Sequence, residues 1–140
     1  MKIITTALAA ATLCLALPAT AQDGEQARTT WRIQLIDLKD DAGTGFEDIL
    51  MDTIIPAYEA AGLPAPQLHW AMVNDDYDYV VITEVPGGMA TFDHHAPAAR
   101  AALNAQLESR LGSAEAVTAM FAQMNGFVEH ATNIFTHTHP

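Results

Sequence analysis

Two histidines near the end of the chain have a spacing that suits a metal ion. His137 and His139 are two residues apart within Asn133 to His139, which is predicted to be the last β-strand. Side chains two apart on a strand point to the same face, so both imidazoles can reach one ion. His130 or His69 is the candidate third ligand, and imidazoles without thiolates suit copper, nickel or zinc. The alternative interpretation is a solvated chain end that binds no metal.

Three further histidines are candidates for acid–base chemistry, because imidazole titrates near neutral pH. His94 and His95 are neighbours in a predicted helical region, so only one of them can face a cleft. His69 lies on a predicted strand, where a hydrogen bond to Glu84 would be either structural or a proton-transfer pair. The sequence contains no glycine-rich phosphate loop, no nucleophile elbow and no visible pair of catalytic carboxylates.

Aromatic residues are the candidates for contact with an apolar or aromatic molecule. His69 and Trp70 are adjacent on a strand and point to opposite faces, so the hairpin that follows decides their neighbours. A loop of two or four residues places Trp70 beside Tyr79, whereas a three-residue loop places His69 there. The sequence leaves both alternatives open. The predicted ligand-binding residues are Trp31, Gln34, Trp70, Tyr79 and Phe92.

The elements that must position these residues follow the order strand, helix, strand, strand, helices, strand. Pro56 predicts a kink or a break near Ile55, and Pro97 predicts an interruption of the second helical region. This order predicts an α+β domain with a four-stranded, mainly antiparallel sheet. The predicted elements are Trp31 to Lys39, Phe46 to Ala61, Gln67 to Asn74, Tyr77 to Val85, Met89 to Leu111, Ser113 to about His130, and Asn133 to His139.

The beginning of the chain has the layout of a secretory signal peptide. Residues 1–21 combine one lysine, an apolar run from Ala7 to Leu17 and a small-x-small cleavage site. We therefore predict a signal peptide at 1–21, a flexible leader at 22–30 and a single domain at 31–140. A periplasmic or secreted location follows from that prediction.

Composition narrows the partners and the compartment. The 17 acidic residues outnumber the 6 basic ones, and the net charge of −11 disfavours nucleic acid and anionic membranes as partners. Cys14, the only cysteine, lies within the predicted signal peptide, so the mature chain has no disulfide and no thiolate metal site. After the signal, no apolar run approaches the roughly 20 residues that span a bilayer.

Both faces of the predicted sheet are apolar. Val80, Val81 and Ile82 are consecutive on the third strand, so apolar side chains point to both sides of it. A strand that is apolar on both faces needs cover on both, and helices cover only one. A chain of this size has no spare element for the second face, so we predict a homodimer in which a second subunit covers it.

Three segments, together with the order of the elements, resemble a known superfamily. They are Ile55 to Gly62, Asp78 to Glu84, and Phe92 to Ala98 with its histidines followed by proline. They are similar to the dimeric α/β-barrel superfamily of ferredoxin-like domains, especially its antibiotic-biosynthesis-monooxygenase-like and NIPSNAP-like branches. The resemblance implies a βαββαβ fold, a homodimer whose sheets form a barrel, and a ligand cleft between sheet and helices in each protomer.

The same resemblance bears on function. Relatives include cofactor-free oxygenases, haem-binding and haem-degrading enzymes, and proteins without known activity. The monooxygenase branch uses an asparagine on the first strand, a tryptophan on a helix and a histidine on the second helix. Here Gln34 stands on the first strand, Trp70 lies on the second strand, and His94 or His95 is the natural counterpart of the histidine.

The leading prediction is an exported domain that binds a small apolar or aromatic molecule, with monooxygenase-like chemistry if it is an enzyme. The first alternative is a histidine-based copper, zinc or haem binding protein. The second is a non-catalytic structural or interaction module. The sequence requires no cofactor, and haem and a divalent metal are the candidates.

Overall fold

The computed structural model describes residues 28–73, 76–95 and 97–139. The predicted signal peptide at 1–21 lies outside the described residues, as does most of the predicted leader. Within the described part, no helix combines the length and the apolar character needed to cross a bilayer.

Four antiparallel strands form one sheet in the order β2-β3-β1-β4. The first and third strands are central, and the second and fourth are the edges. With the helical regions between them, this is the ferredoxin-like βαββαβ topology, and the predicted fold class is confirmed. The strands are β1 (Thr30–Leu38), β2 (Gln67–Trp70), β3 (Tyr79–Glu84) and β4 (Val128–His137).

The first helical region changes its winding in front of a proline. It consists of α1 (Gly43–Ile49), a π-helical segment (Leu50–Ile54) and α2 (Ile55–Ala60). Pro56 has no backbone N–H to donate, so the preceding turn widens without breaking the helix, and the predicted kink takes this form. The region ends at Gly62, whose φ of 68° suits a residue without a side chain.

The second helical region is divided more sharply than its pattern predicts. A 3-10 helix (Gly88–Asp93) comes first, and α3 (Ala98–Leu111) begins directly after Pro97. The third helical region is α4 (Ala114–Phe127). Its N-cap is Ser113, whose Oγ accepts a hydrogen bond from Ala116 N at 3.2 Å. The proline and the N-cap serine set these two starts.

The boundary between α4 and β4 lies earlier than predicted. We expected the helix to reach about His130 and the strand to begin at Asn133, but Val128 already has extended backbone and pairs with Leu38. Lys39 N donates to Phe127 O at 2.9 Å, so pairing with β1 competes successfully with another helical turn. Tertiary pairing overrides local helix preference here.

The hairpin between β2 and β3 has an even register. Trp70 pairs with Tyr79, His69 pairs with Val80, and Ala71 N donates to Asp78 O at 2.8 Å. Trp70 therefore shares a face with Tyr79, and His69 lies on the other face. This is the arrangement expected for a loop of two or four residues. The loop length was nevertheless wrong, because β2 ends at Trp70 rather than Asn74 and β3 begins at Tyr79 rather than Tyr77, which leaves a connection from 71 to 78.

The hydrophobic core lies on one face of the sheet only. Ile36, Tyr79 and Val81 point to the helices and pack with Phe46 and Leu107, both of which are fully buried. The opposite face carries the alternate residues of the same strands, and none of the described helices lies over it. We call it the open face; its apolar residues are Trp31, Ile33, Leu35, Val80, Ile82 and Ile134, and none belongs to the core or packs against it.

Candidate ligand-binding cleft

A cleft of about 480 Å³ lies between the helix-covered face of the sheet and the helices. The paired residues Arg32 of β1 and Thr83 of β3 form its floor. The first helical region, the 3-10 segment, α3 and α4 supply its walls. The wall residues include Tyr58, Pro86, Phe92, His94, Arg100, Leu103 and Phe121.

The floor of the cleft is polar. Thr83 is only 4% exposed, and its buried hydroxyl has no hydrogen-bond partner among the described residues. Arg32 is half-buried directly across the strand pair. Burial raises the pKa of the Tyr58 hydroxyl, and the nearby positive charge of Arg32 opposes that rise. A hydroxyl, a phenol and a guanidinium therefore meet in a partly desolvated space.

The walls of the cleft are largely apolar. Leu103 of α3 is half-buried and Phe121 of α4 is partly exposed toward the cleft. Phe92 packs edge-on against Phe135 of β4, with ring centroids 5.2 Å apart and planes at 77°. This aromatic pair connects the 3-10 segment to the strand beside Arg32, because Phe135 is the register partner of that arginine.

Two consecutive glycines set the path of the 3-10 segment. Gly87 and Gly88 have φ values of 80° and 65°, in the left-handed region that side chains disfavour. A Cβ at Gly87 would lie 2.8 Å from the Thr91 hydroxyl oxygen, which itself donates to the Pro86 carbonyl. The turn therefore places Phe92 and the residues after it along the cleft.

Of the two adjacent histidines, only His94 lines the cleft. It ends the 3-10 helix with extended backbone, φ −103° and ψ 133°, and its side chain is exposed. His95 follows in the connection to α3 and is also exposed. The pair was expected on a helix, and the structure places it in the connection between two helices.

Trp31 and Gln34 lie outside the cleft, although both are on β1. Trp31 points to the open face, where its register partners are Glu84 and Thr136. Gln34 points to the helix side between Val81 and Asn133, but it does not line the cleft.

Trp70 and Tyr79 form a separate polar cluster with Glu47 of α1. The indole Nε1 of Trp70 donates to Glu47 Oε1 at 3.1 Å, and the Tyr79 hydroxyl donates to the same oxygen. Burial, the hydrogen bond and the carboxylate charge raise the pKa of Tyr79 to about 12. Tyr79 is four residues from Thr83 on β3, about 13 Å at strand spacing. His94 lines the cleft, whereas neither Gln34 nor Trp70 does, so the structure does not bring these three residues together.

His69 is exposed on the open face of the edge strand β2. Its register partner is Val80, four residues before Glu84, so β2 does not place it beside that carboxylate. The predicted pairing of His69 with Glu84 is not formed within the protomer.

The three metal-ligand candidates do not gather at one point. The rings of His137 and His139 have centroids 4.6 Å apart, whereas His130 pairs with Asp37 at the other end of β4. Seven residues of extended strand separate His130 from His137 by about 23 Å. Across residues 28–73, 76–95 and 97–139, no group of three or more His, Cys, Asp or Glu could hold a metal ion. His130 is therefore not a third ligand for the C-terminal pair within one protomer.

The sequence did not predict most of the cleft residues, among them the polar residues Arg32, Tyr58, Thr83 and Arg100. A signal for two of them was present, because Arg32 and Thr83 interrupt apolar strands at positions that alternate with the open-face residues. Nothing in the sequence indicated that the two would be register partners, since that depends on long-range pairing.

The fold and site together define an α+β protein with a helix-covered sheet, an open apolar sheet face and a cleft between sheet and helices. The fold is that of solved NIPSNAP family proteins. A NIPSNAP family protein of unknown function from Agrobacterium tumefaciens C58 superposes with a TM-score of 0.53 at 14% identity, covering 79% of this chain and 88% of its own. A second NIPSNAP family protein from that strain gives a TM-score of 0.51 at 9% identity, covering 77% of this chain and 90% of its own.

A dimeric protein of unknown function with a ferredoxin-like fold from Bacteroides fragilis matches with a TM-score of 0.42 at 11% identity, covering 81% and 99% of the two chains. No protein-family model matches the chain, and no curated protein matches it. At these identities the likeness establishes the fold, and the predicted resemblance to NIPSNAP-like ferredoxin-like domains is confirmed at that level.

Proposed function

We propose that this protein is an exported homodimer that binds a small, largely apolar or aromatic molecule in the cleft between sheet and helices. The observation that carries the proposal is the cleft itself, with about 480 Å³ of space. Ligand pockets in proteins typically have about 300–1,000 Å³ and combine apolar walls with a few polar groups. A purely structural module would fill this space with its own side chains, so the open volume favours ligand binding.

Chemical activity is the less favoured part of the prediction. Only His94 among the three monooxygenase-type candidates lines the cleft, and it is exposed at the end of the 3-10 segment. General acid–base catalysis requires a group within hydrogen-bond reach of the reacting atom and held in place. A binding function needs no such set, so we propose binding and assign no reaction.

The homodimer is proposed from the open face. Six apolar residues of that face lie outside the core, and those on the central strands are half-buried although none of the described helices or strands covers them. A second copy of the chain presents the same apolar surface, and two-fold symmetry would pack the two open faces against each other. Export is proposed from the signal-like residues 1–21, and fractionation of cells that express the full chain tests it.

A blocking variant tests cleft binding. Leu103→Trp places an indole in the cleft, and Met72→Trp adds the same side chain at a residue that is 91% exposed in the hairpin loop. A panel of one- and two-ring aromatic compounds is screened by saturation-transfer NMR against both variants and the wild type. We expect compounds that bind the wild type to bind Met72→Trp and to lose binding to Leu103→Trp. Equal binding to both variants, or no binding compound in the panel, would contradict the proposal.

A further inference from the structure

The cationic side chains of this acidic protein are not evenly distributed. Lys39 Nζ donates to Gly126 O at 2.7 Å, and Arg110 Nη2 donates to Pro56 O at 3.1 Å, so both support the fold. Arg32 and Arg100 both line the cleft. Neither makes a hydrogen bond or an ion pair within the part of the chain that the structure describes. Two guanidinium groups that lack a hydrogen-bond or ion-pair partner among the described residues thus line one cleft in a protein of net charge −11.

Thr83 is a second and independent observation at the same place. Within residues 28–73, 76–95 and 97–139 its buried hydroxyl has no hydrogen-bond partner, which is unusual because buried polar groups nearly always have one. Thr83 and Arg32 are register partners, so the hydroxyl and the guanidinium approach the cleft from adjacent strands. An acceptor group between them would satisfy both.

The one acidic residue among the lining residues does not oppose this arrangement. Glu84 follows Thr83 on β3, and successive residues of a strand point to opposite faces. Its carboxylate therefore belongs to the open face, beside Trp31, while Thr83 faces the cleft. Arg32 and Arg100 remain the charged groups of the cleft, and the His94 imidazole lies at the end of the 3-10 segment.

We propose that the ligand is an organic acid whose carboxylate binds Arg32 and the Thr83 hydroxyl and whose apolar body lies against Leu103 and Phe121. Arginine presents paired N–H groups that match the two oxygens of a carboxylate, and a charged acceptor strengthens each hydrogen bond. Arg100, exposed on α3, attracts the acid at the mouth of the cleft. This inference rests on the proposed function and narrows it to one class of ligand.

A matched pair of probes tests the charge requirement. 2-Naphthoate and 2-naphthamide have the same aromatic body and nearly the same shape, but only the first carries a carboxylate. Their dissociation constants are measured with the full mature chain by isothermal titration calorimetry. We expect the acid to bind about tenfold or more tightly than the amide, because hydrogen bonds to a charged acceptor are stronger than those to a neutral one.

Variants locate the effect. Arg32→Gln should abolish the preference for the acid, and Thr83→Val should weaken naphthoate binding about twofold to tenfold. Arg110→Gln removes the same charge outside the cleft and should leave the preference unchanged. If Arg32→Gln fails to fold, the comparison of the two probes in the wild type still decides the question.

The outcomes separate the inference from the proposed function. Cleft binding of both probes with equal affinity, or tighter binding of the amide, would overturn the organic-acid inference and leave the proposed function standing. Binding of neither probe would overturn both. A preference for the acid that survives Arg32→Gln but disappears in Arg110→Gln would also overturn the inference, because the charge effect would then arise elsewhere.

Discussion

Replacing Thr83 by valine should raise the free energy of unfolding of the ligand-free protein. The Thr83 hydroxyl is buried and makes no hydrogen bond, so its desolvation is not offset in the folded state. Leaving a buried polar group unsatisfied costs about 1–3 kcal/mol, and valine keeps the branched shape while removing the group. We expect the free energy of unfolding to rise by about 1 kcal/mol, and Tm by about 4 °C for a domain of this size.

Urea unfolding followed by tryptophan fluorescence measures the effect, with all variants at one protein concentration. Thr83→Ser is the matched control, because it retains the hydroxyl and removes the methyl group. It should lower the free energy of unfolding by about 1 kcal/mol, which gives the order valine, threonine, serine from most to least stable. If valine is less stable than threonine by 1 kcal/mol or more, the hydroxyl has a partner in the folded protein and the reasoning about the cleft floor is refuted.

Three further predictions concern the open face, the buried phenol and the chain end. Ile82→Arg should convert the proposed dimer to a monomer in light scattering, because it places a charge in the centre of the open face. Met51→Arg, which changes an exposed side chain of the π-helical segment, should leave the oligomeric state unchanged. A dimeric Ile82→Arg variant would argue against this interface. The pKa of Tyr79 is raised from 10.0 to about 12, so the neutral phenol stabilises the fold below pH 10 and that contribution is lost as pH rises toward 12. The difference in free energy of unfolding between the wild type and Tyr79→Phe should therefore shrink between pH 10 and pH 12. A difference that stays constant over that range would contradict the prediction. Calorimetric titration with copper(II) should show weak binding that disappears in the His137→Ala/His139→Ala variant. The binding should weaken as pH falls, since protonated imidazole cannot ligate. Equal copper binding by the wild type and the variant would exclude the two histidines as a site.

The sequence was sufficient for the order of elements because local signals marked most boundaries. Gly62 ends the first helical region, Ser113 begins α4 and Pro97 precedes α3, each for a reason that acts within a few residues. The start of β4 was wrong by five residues, since pairing of Val128 with Leu38 is a contact between distant parts of the chain. Local propensity contains no information about that contact.

The candidate site was less predictable than the fold. Its location between sheet and helices followed from the resemblance, and Phe92 and His94 do line it. Trp31 and Trp70 do not, because the register sends one to the open face and gives the other a partner in Glu47. The sequence does not predict the polar floor, because Arg32 and Thr83 are 51 positions apart and become neighbours only when β1 pairs with β3.

A single NMR titration tests the central claim that the cleft binds a small molecule. Uniformly ¹⁵N-labelled protein is titrated with 2-naphthoate, and backbone amide shifts are followed to saturation. We expect saturable shifts concentrated at Arg32, Thr83, Phe92, Leu103 and Phe121, with the amides of β2 and the Glu47 cluster unchanged. Absence of saturable shifts, or shifts centred on β2 and the open face, would contradict the assignment of the cleft as the binding site.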